Sequence, residues 1–144
     1  RHSIWFAMID LDSDAVCASQ AIVRWLPEKE EHMVLRVVVK AVEAWLMADI
    51  ESMAAFLHVS PSLFPDNPET EANPKEKLVN IARHSTNTTI SNDFVPRQRS
   101  GAHEGPLYPA RLNEFTQKYW HPEEAMLRSD SLRRCINALS AIKA

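Results

Sequence analysis

The stretch IWFAMIDLDSD, Ile4 to Asp14, decides how this chain is read. An apolar run ends abruptly in Asp10, Asp12 and Asp14, one acid on every second residue. A short, continuous apolar segment such as Ile4–Ile9 reads as a strand buried on both faces, the type that parallel sheets use. Downstream, Asp14–Leu26 carries Ala15, Ala18, Ile22, Trp25 and Leu26 at helical spacing, and Pro27 stops it. EKEEH is a solvated turn, and MVLRVVVK is a second strand rich in β-branched residues. Strand, helix and strand in that order predict a right-handed crossover. Ile4–Ile9 and Met33–Val39 are then adjacent parallel strands, with Asp10 at a carboxyl end.

The rest of the chain reads as mainly helical. Val42, Leu46, Ile50, Met53 and Leu57 form one apolar stripe, so a single helix is expected over Val42–Leu57. SPSLFPDNPETEANP is a Pro-rich loop feeding a helix start, with Asn73 as cap, Pro74 in the first turn and Glu76 three residues after the cap. That helix should run to about Arg83. Ser85–Gly105 is polar and lacks periodicity, which predicts a long mobile loop that tunes binding rather than stability. Helices resume around Pro109–Tyr119 and Pro122–Leu127. Ser129 or Asp130 caps a last helix with the stripe Leu132, Cys135, Ile136, Leu139 and Ile142. Neither an internal repeat nor a second domain is visible, so residues 1–144 are read as one domain.

Bulk properties narrow the function classes. The chain has 144 residues and is 45% hydrophobic, enough for a core. Charged residues make up 24% and the formal net charge is −3, so no global basic excess holds phosphates. Any contact with nucleic acid must use a local patch or a bound cation. The longest apolar runs are too short to span a bilayer and no signal peptide is seen, which excludes a membrane partner and favours a cytoplasmic protein. The chain opens at RHSIWF without Met, so upstream residues are expected. Cys17 and Cys135 each fall inside a helical pattern, as two buried free thiols would in a reducing compartment. No Cys/His spacing suggests zinc.

Side chains at i and i+2 of an extended chain point the same way, so Asp10 and Asp12 present two carboxylates to one point beyond the sheet. In parallel α/β sheets ligands bind there, outside the carboxyl ends of the strands. Adjacent carboxylates repel unless a cation or proton separates them, and magnesium, with its preference for hard oxygen ligands, suits the pair. Rival readings exist. Asp12 or Asp14 can cap the following helix, and for Asp14 capping is the better reading. An EF-hand loop fails because Ala15 and Ala21 stand where Gly and Glu are required. A D-x-D phosphatase needs more strands than this chain offers.

Glu43, where the second strand gives way to a helix, is a second candidate; its i+4 neighbour is Met47, so the helical pattern does not need it for packing. Its carboxylate either complements the helix dipole or acts as a third metal ligand or general acid/base. Asp49 is a turn and a half further on and faces elsewhere, and Trp45 reads as core. Lys75, in the first turn of a helix, and Arg133, on the last, are candidate phosphate contacts. Each is otherwise a solvated surface residue, as are Arg134 and the loop pair Arg97 and Arg99. His32, His84, His103 and His121 sit in turns or loop segments and look unremarkable.

Taken together, these segments resemble a known family. FAMIDLDSD resembles the D-x-D motif of TOPRIM domains, the metal-binding α/β unit of topoisomerases, primases and overcoming-lysogenization-defect nucleases. VEAWLMAD, NPKEKL and SDSLRRCINAL resemble a bacterial TOPRIM-related group, domain-of-unknown-function family 4276. The likeness spans Ile4 to Leu139 except Ser85–Gly105, and the E-A-W-L-x-A-D string is its most specific part. It implies an α/β TOPRIM-like fold with few parallel strands and flanking helices. It also implies metal-dependent phosphoryl transfer on nucleic acid, by a nuclease of the phage-defence type, with Asp10 and Asp12 as ligands of Mg²⁺ or Mn²⁺ and Glu43 as candidate catalytic group. One departure stands out. TOPRIM enzymes place a catalytic Glu on a strand before the D-x-D strand, and no such strand precedes Asp10 here. Either an upstream strand and helix are missing, or Glu43 substitutes, or the module is a non-catalytic subunit that docks on a partner such as an ATPase. Pairing as a homodimer would hide the open edge of the sheet.

Overall fold

A computed structural model of the chain describes residues 5–10, 18–28, 33–38 and 41–141, with Asp10 and Ala18 described through their backbone alone. Asp12, Asp14, Cys17, His32 and Ile142 lie outside the described residues. The architecture is mixed α/β: a two-stranded parallel sheet joined to a larger helical body.

Strand β1 (Trp5–Asp10) pairs in parallel with β2 (Met33–Val38), in a register running from Trp5 opposite Met33 to Asp10 opposite Val38. Helix α1 (Ala18–Trp25) lies between them in sequence. Asp10 therefore ends its strand at the carboxyl edge, as the D-x-D reading requires. The expectation that this strand is buried on both faces fails. Trp5 is 71% exposed, Met8 53%, Ile9 41% and Phe6 36%. The reason is coverage: α1 and the last helix both pack on β2, where Leu35, Val37 and Val38 are buried, and β1 is the outer strand.

The predicted Val42–Leu57 helix is two helices, α2 (Val42–Met47) and α3 (Ile50–Leu57). Asp49 breaks it. Its backbone leaves helical geometry (φ −84°, ψ 73°) and its side chain accepts from the Ser52 amide, 3.4 Å away, as the cap of α3. The apolar stripe survives the break, with Leu46, Ile50, Met53 and Leu57 all buried. Helix α4 (Pro74–Ala82) matches expectation, and the Asn73 side chain accepts from the Glu76 amide at 3.1 Å.

Ser85–Gly105 also departs from the expected loop. A third of it forms helix α5 (Thr88–Phe94), capped by Asn87, whose side chain accepts from the amides of Thr89 (3.0 Å) and Ile90 (3.2 Å). Ile90 and Phe94, one turn apart, are buried in the main core with Met53, Leu57, Leu78 and Phe115. Two turns of helix with two apolar anchors leave too little periodicity to detect in sequence.

Three helices complete the chain: α6 (Tyr108–Lys118), α7 (Pro122–Ala125) and α8 (Asp130–Ser140). Ser129 is the cap of α8 and accepts from the Leu132 amide at 3.2 Å. Leu132 and Cys135 join Val38 and Trp45 in a second cluster that ties α8 to the sheet. Cys135 is a buried free thiol whose burial pushes its pKa up. No helix among the described residues is long and apolar enough to cross a membrane.

Candidate functional site

Glu43 sits in the first turn of α2, five residues beyond the end of β2, and so follows the same carboxyl edge that Asp10 closes on β1. It is 5% exposed. The expectation that packing does not involve it is corrected by its partners. The Tyr108 hydroxyl, at the start of α6, donates to Glu43 Oε1 at 2.9 Å. Lys75 Nζ, from the first turn of α4, lies 4.0 Å from the same oxygen. Lys75 also pairs with Glu104 Oε2 at 3.0 Å and rests over the Tyr108 ring, 5.4 Å from its centre. Three helix starts thus converge on one buried carboxylate. Burial, and after it the neighbouring charge of Glu43, raise the Tyr108 phenol far above its ordinary pKa, so it remains a proton donor through the alkaline range.

The segment read as a loop builds part of this cluster. The Gly105 amide donates to the Phe94 carbonyl at 2.8 Å and the Leu107 amide to the Asp93 carbonyl at 3.1 Å. A methyl group at Gly105 would collide with the Asp93 carbonyl oxygen and the Phe94 backbone. Close approach of two backbones therefore sets Glu104 and Tyr108, and Phe94 meets the Tyr108 ring edge-on at 5.5 Å. Chemically, the cluster holds one carboxylate nearly dry, with a neutral donor and a cation on it.

Of the other sequence candidates, Arg133 lies apart from this cluster, on α8. Asp10 stands at the sheet edge through its backbone, and Asp12 lies outside the described residues. Arg133 is exposed on α8 and pairs with Asp130, as does Arg134 Nε at 2.7 Å. The N-terminus of α8 is already closed by an anion that sequence reasoning missed. Glu69 accepts through Oε1 from the Ser129 hydroxyl (2.9 Å), the Ser131 hydroxyl and the Ser131 amide (3.2 Å), and through Oε2 from the Asp130 amide (3.1 Å). No local pattern announces a partner 60 residues away in sequence. Trp45 is core, as expected, and its indole N–H donates to the Ser131 hydroxyl at 2.7 Å.

His121 is not the unremarkable residue its loop position suggests. Its amide donates to Asp49 Oδ2 at 2.8 Å, and its ring Nδ1 lies 3.3 Å from that oxygen and 3.0 Å from the Ser52 hydroxyl. Acid and hydroxyl reach the same ring nitrogen. A Ser–His–Asp relay needs one on each nitrogen, so this trio is a helix-joining contact.

Among the described residues no three His, Cys, Asp or Glu side chains come together as a metal-holding group. In comparisons with known proteins, no family model, curated protein or solved structure matches the chain.

Proposed function

We propose that this chain is a TOPRIM-like module, related to domain-of-unknown-function family 4276, that carries out Mg²⁺-dependent phosphoryl transfer on nucleic acid. The observation that carries the reading is the position of Asp10, the last residue of β1, at the carboxyl edge of a parallel pair. Parallel α/β folds bind ligands at that edge. Asp10 and Asp12 are the hard-oxygen pair that would hold Mg²⁺ or Mn²⁺, and their donor type suits either ion. Held by those two carboxylates, such an ion would supply Lewis-acid polarisation of a phosphoryl oxygen and a more acidic bound water. Glu43, following the same edge from β2, is the candidate proton-transfer group, oriented by Tyr108 and Lys75. Lys75 is so placed that its charge reaches Glu43 and Glu104. Arg133, on the exposed face of α8, is the weaker phosphate contact. A nuclease of bacterial phage defence, acting in the cytoplasm, is the setting the family resemblance supplies.

A second reading is favoured by one observation: Glu43 is already bonded to Tyr108. On that reading the carboxylate is structural and the module is a non-catalytic subunit docking on a partner such as an ATPase. Thermal melts and cleavage assays separate the two. Mg²⁺ should raise the melting temperature of the wild type and leave Asp10→Ala unmoved, while cleavage of single-stranded or duplex substrate disappears in Asp10→Ala and Glu43→Gln. An equal Mg²⁺ shift in wild type and Asp10→Ala sinks the metal site. A Mg²⁺ shift confined to the wild type, without cleavage of any polynucleotide, selects the docking subunit.

A further inference from the structure

A cleft of about 580 Å³ opens between α3, the start of α5, α6 and the residue before α7, and it shares no side chain with the Glu43 cluster. One side of it is aromatic. Phe56 packs against Phe115 and Tyr119, with ring centres 5.4 Å away in each case, and Tyr119 remains 45% exposed. Phe94 meets the Phe56 ring edge-on at 6.4 Å, so the core holds this wall in place and leaves a planar surface toward the cleft. Another side is charged. Arg111, Glu114 and Lys118 lie three and four residues apart on one face of α6. Arg111 is fully engaged, with Asp93 at 2.8 Å and Glu114 at 2.7 Å. Lys118 Nζ is 3.5 Å from Glu114, long for a charged hydrogen bond, and 61% of its side chain is in solvent.

Two imidazoles complete the cleft. His58 closes α3 in the left-handed conformation (φ 54°, ψ 50°), where glycine is the relaxed choice. Its carbonyl accepts from the Thr86 amide at 3.1 Å and the Thr86 hydroxyl at 3.2 Å, which fixes the turn. A side chain is thus kept at a backbone position that disfavours one, an outlier that points to use of the ring. His121 is oriented through Nδ1, 3.3 Å from Asp49 Oδ2 and 3.0 Å from the Ser52 hydroxyl. Its ring is 64% exposed, and Nε2 has no partner among the described residues. Ser52 and His58 are six residues apart on α3, roughly 9 Å, so the two imidazoles bracket the stretch that carries Phe56.

We propose that this cleft binds a nucleoside monophosphate. The base lies on the Phe56–Tyr119 wall and is bounded by His58. The phosphate takes Lys118 and His121, three residues apart at the end of α6. A doubly protonated His121 ring donates through Nδ1 to Asp49 and through Nε2 to phosphate. A planar surface beside an under-used ammonium and an oriented imidazole suits a flat ring joined to an anion, and the volume is that of a small-molecule site. The inference is independent of any metal chemistry at Asp10.

Titration of the 144-residue chain with AMP, followed through amide NMR shifts, tests it. AMP should saturate with a Kd of about 0.1 mM, with the largest shifts at Ser52, His58, Thr89 and Lys118. Adenosine and inorganic phosphate should each bind at least about tenfold more weakly, since each keeps only part of the contacts. Lys118→Ala, at an exposed position, should weaken AMP about fivefold and leave adenosine unchanged. His58→Gly relaxes the turn, so it should melt no lower than the wild type, yet weaken AMP and adenosine alike. AMP that fails to saturate by about 5 mM, or that shifts amides elsewhere instead, overturns the proposal. So does AMP that binds no better than inorganic phosphate, or that binds both folded variants as it binds the wild type.

Discussion

Tyr108→Phe removes a single oxygen and isolates the energetic role of the buried cluster. The hydroxyl is the donor to Glu43 Oε1 at 2.9 Å, and Glu43 is 5% exposed, so water cannot replace it cheaply. Lys75 stays 4.0 Å from that oxygen, with about half of its side chain in solvent, and does not substitute for a direct bond. A hydrogen bond to a charged buried group is worth about 1.5–3 kcal/mol. We expect a loss near 2 kcal/mol in urea unfolding followed by circular dichroism, or roughly 5–8 °C in melting temperature for a chain of this size. Pairing it with Glu43→Gln in a double-mutant cycle should give a coupling of about 1–2 kcal/mol. The alkaline limb provides a separate reading. The unfolded phenol ionises at its ordinary pKa of 10.0, whereas the folded phenol keeps its proton well above that. The unfolded state then binds fewer protons than the folded one, so wild-type stability is full below pH 10 and falls as pH rises past it. Tyr108→Phe should lack that component of the fall. A variant within about 0.5 kcal/mol of wild type, with an unchanged alkaline limb, refutes the cluster as an energetic feature.

Two further substitutions test elements that sequence periodicity did not show. Phe94→Ala should cost about 3–5 kcal/mol in chemical denaturation, because Phe94 is fully buried in the main core; a loss under about 1 kcal/mol would return Ser85–Gly105 to the status of a dispensable loop. Asp49→Ala should cost about 2–3 kcal/mol and unpin the start of α7, since it removes the cap of α3 and leaves the His121 amide unpaired; hydrogen exchange at the His121 amide should rise, and unchanged protection there argues against the contact.

Much of the fold was legible because its signals are local. A β-branched run, a following Asn-Pro cap and the aspartates after an apolar strand each declare an element within a few residues. Parallel pairing followed from the strand–helix–strand order. The failures arise where the deciding partner is distant. Asp49 lies beside an apolar stripe that continues unbroken, and its role as a cap is reinforced by His121, 72 residues away. Glu43 looked surplus to packing because Tyr108 lies 65 residues on. Glu69 belongs to α8 only in three dimensions. The reading of β1 failed for the opposite reason: its residues do describe a buried strand, but among the described residues α1 and α8 pack on β2 and leave Trp5 and Met8 exposed.

The two acidic features of the molecule therefore answer to different physics. Glu43 has its counter-groups built in: a phenol that stays protonated, and a lysine shared with Glu104. Asp10 and Asp12 come as neighbours of the same sign, two residues apart in the sequence, for which the cheapest partner is one from solution. Removing a charge should thus have opposite consequences in the two places. Neutralising Glu43 takes away the acceptor of a buried hydrogen bond and lowers stability at any magnesium concentration. Neutralising Asp10 relieves repulsion and leaves the metal-free protein at least as stable. An Asp10→Ala chain less stable than wild type in the presence of a chelator would show that the carboxylate is held by the fold itself, and the case for a solution cation there would fall with it.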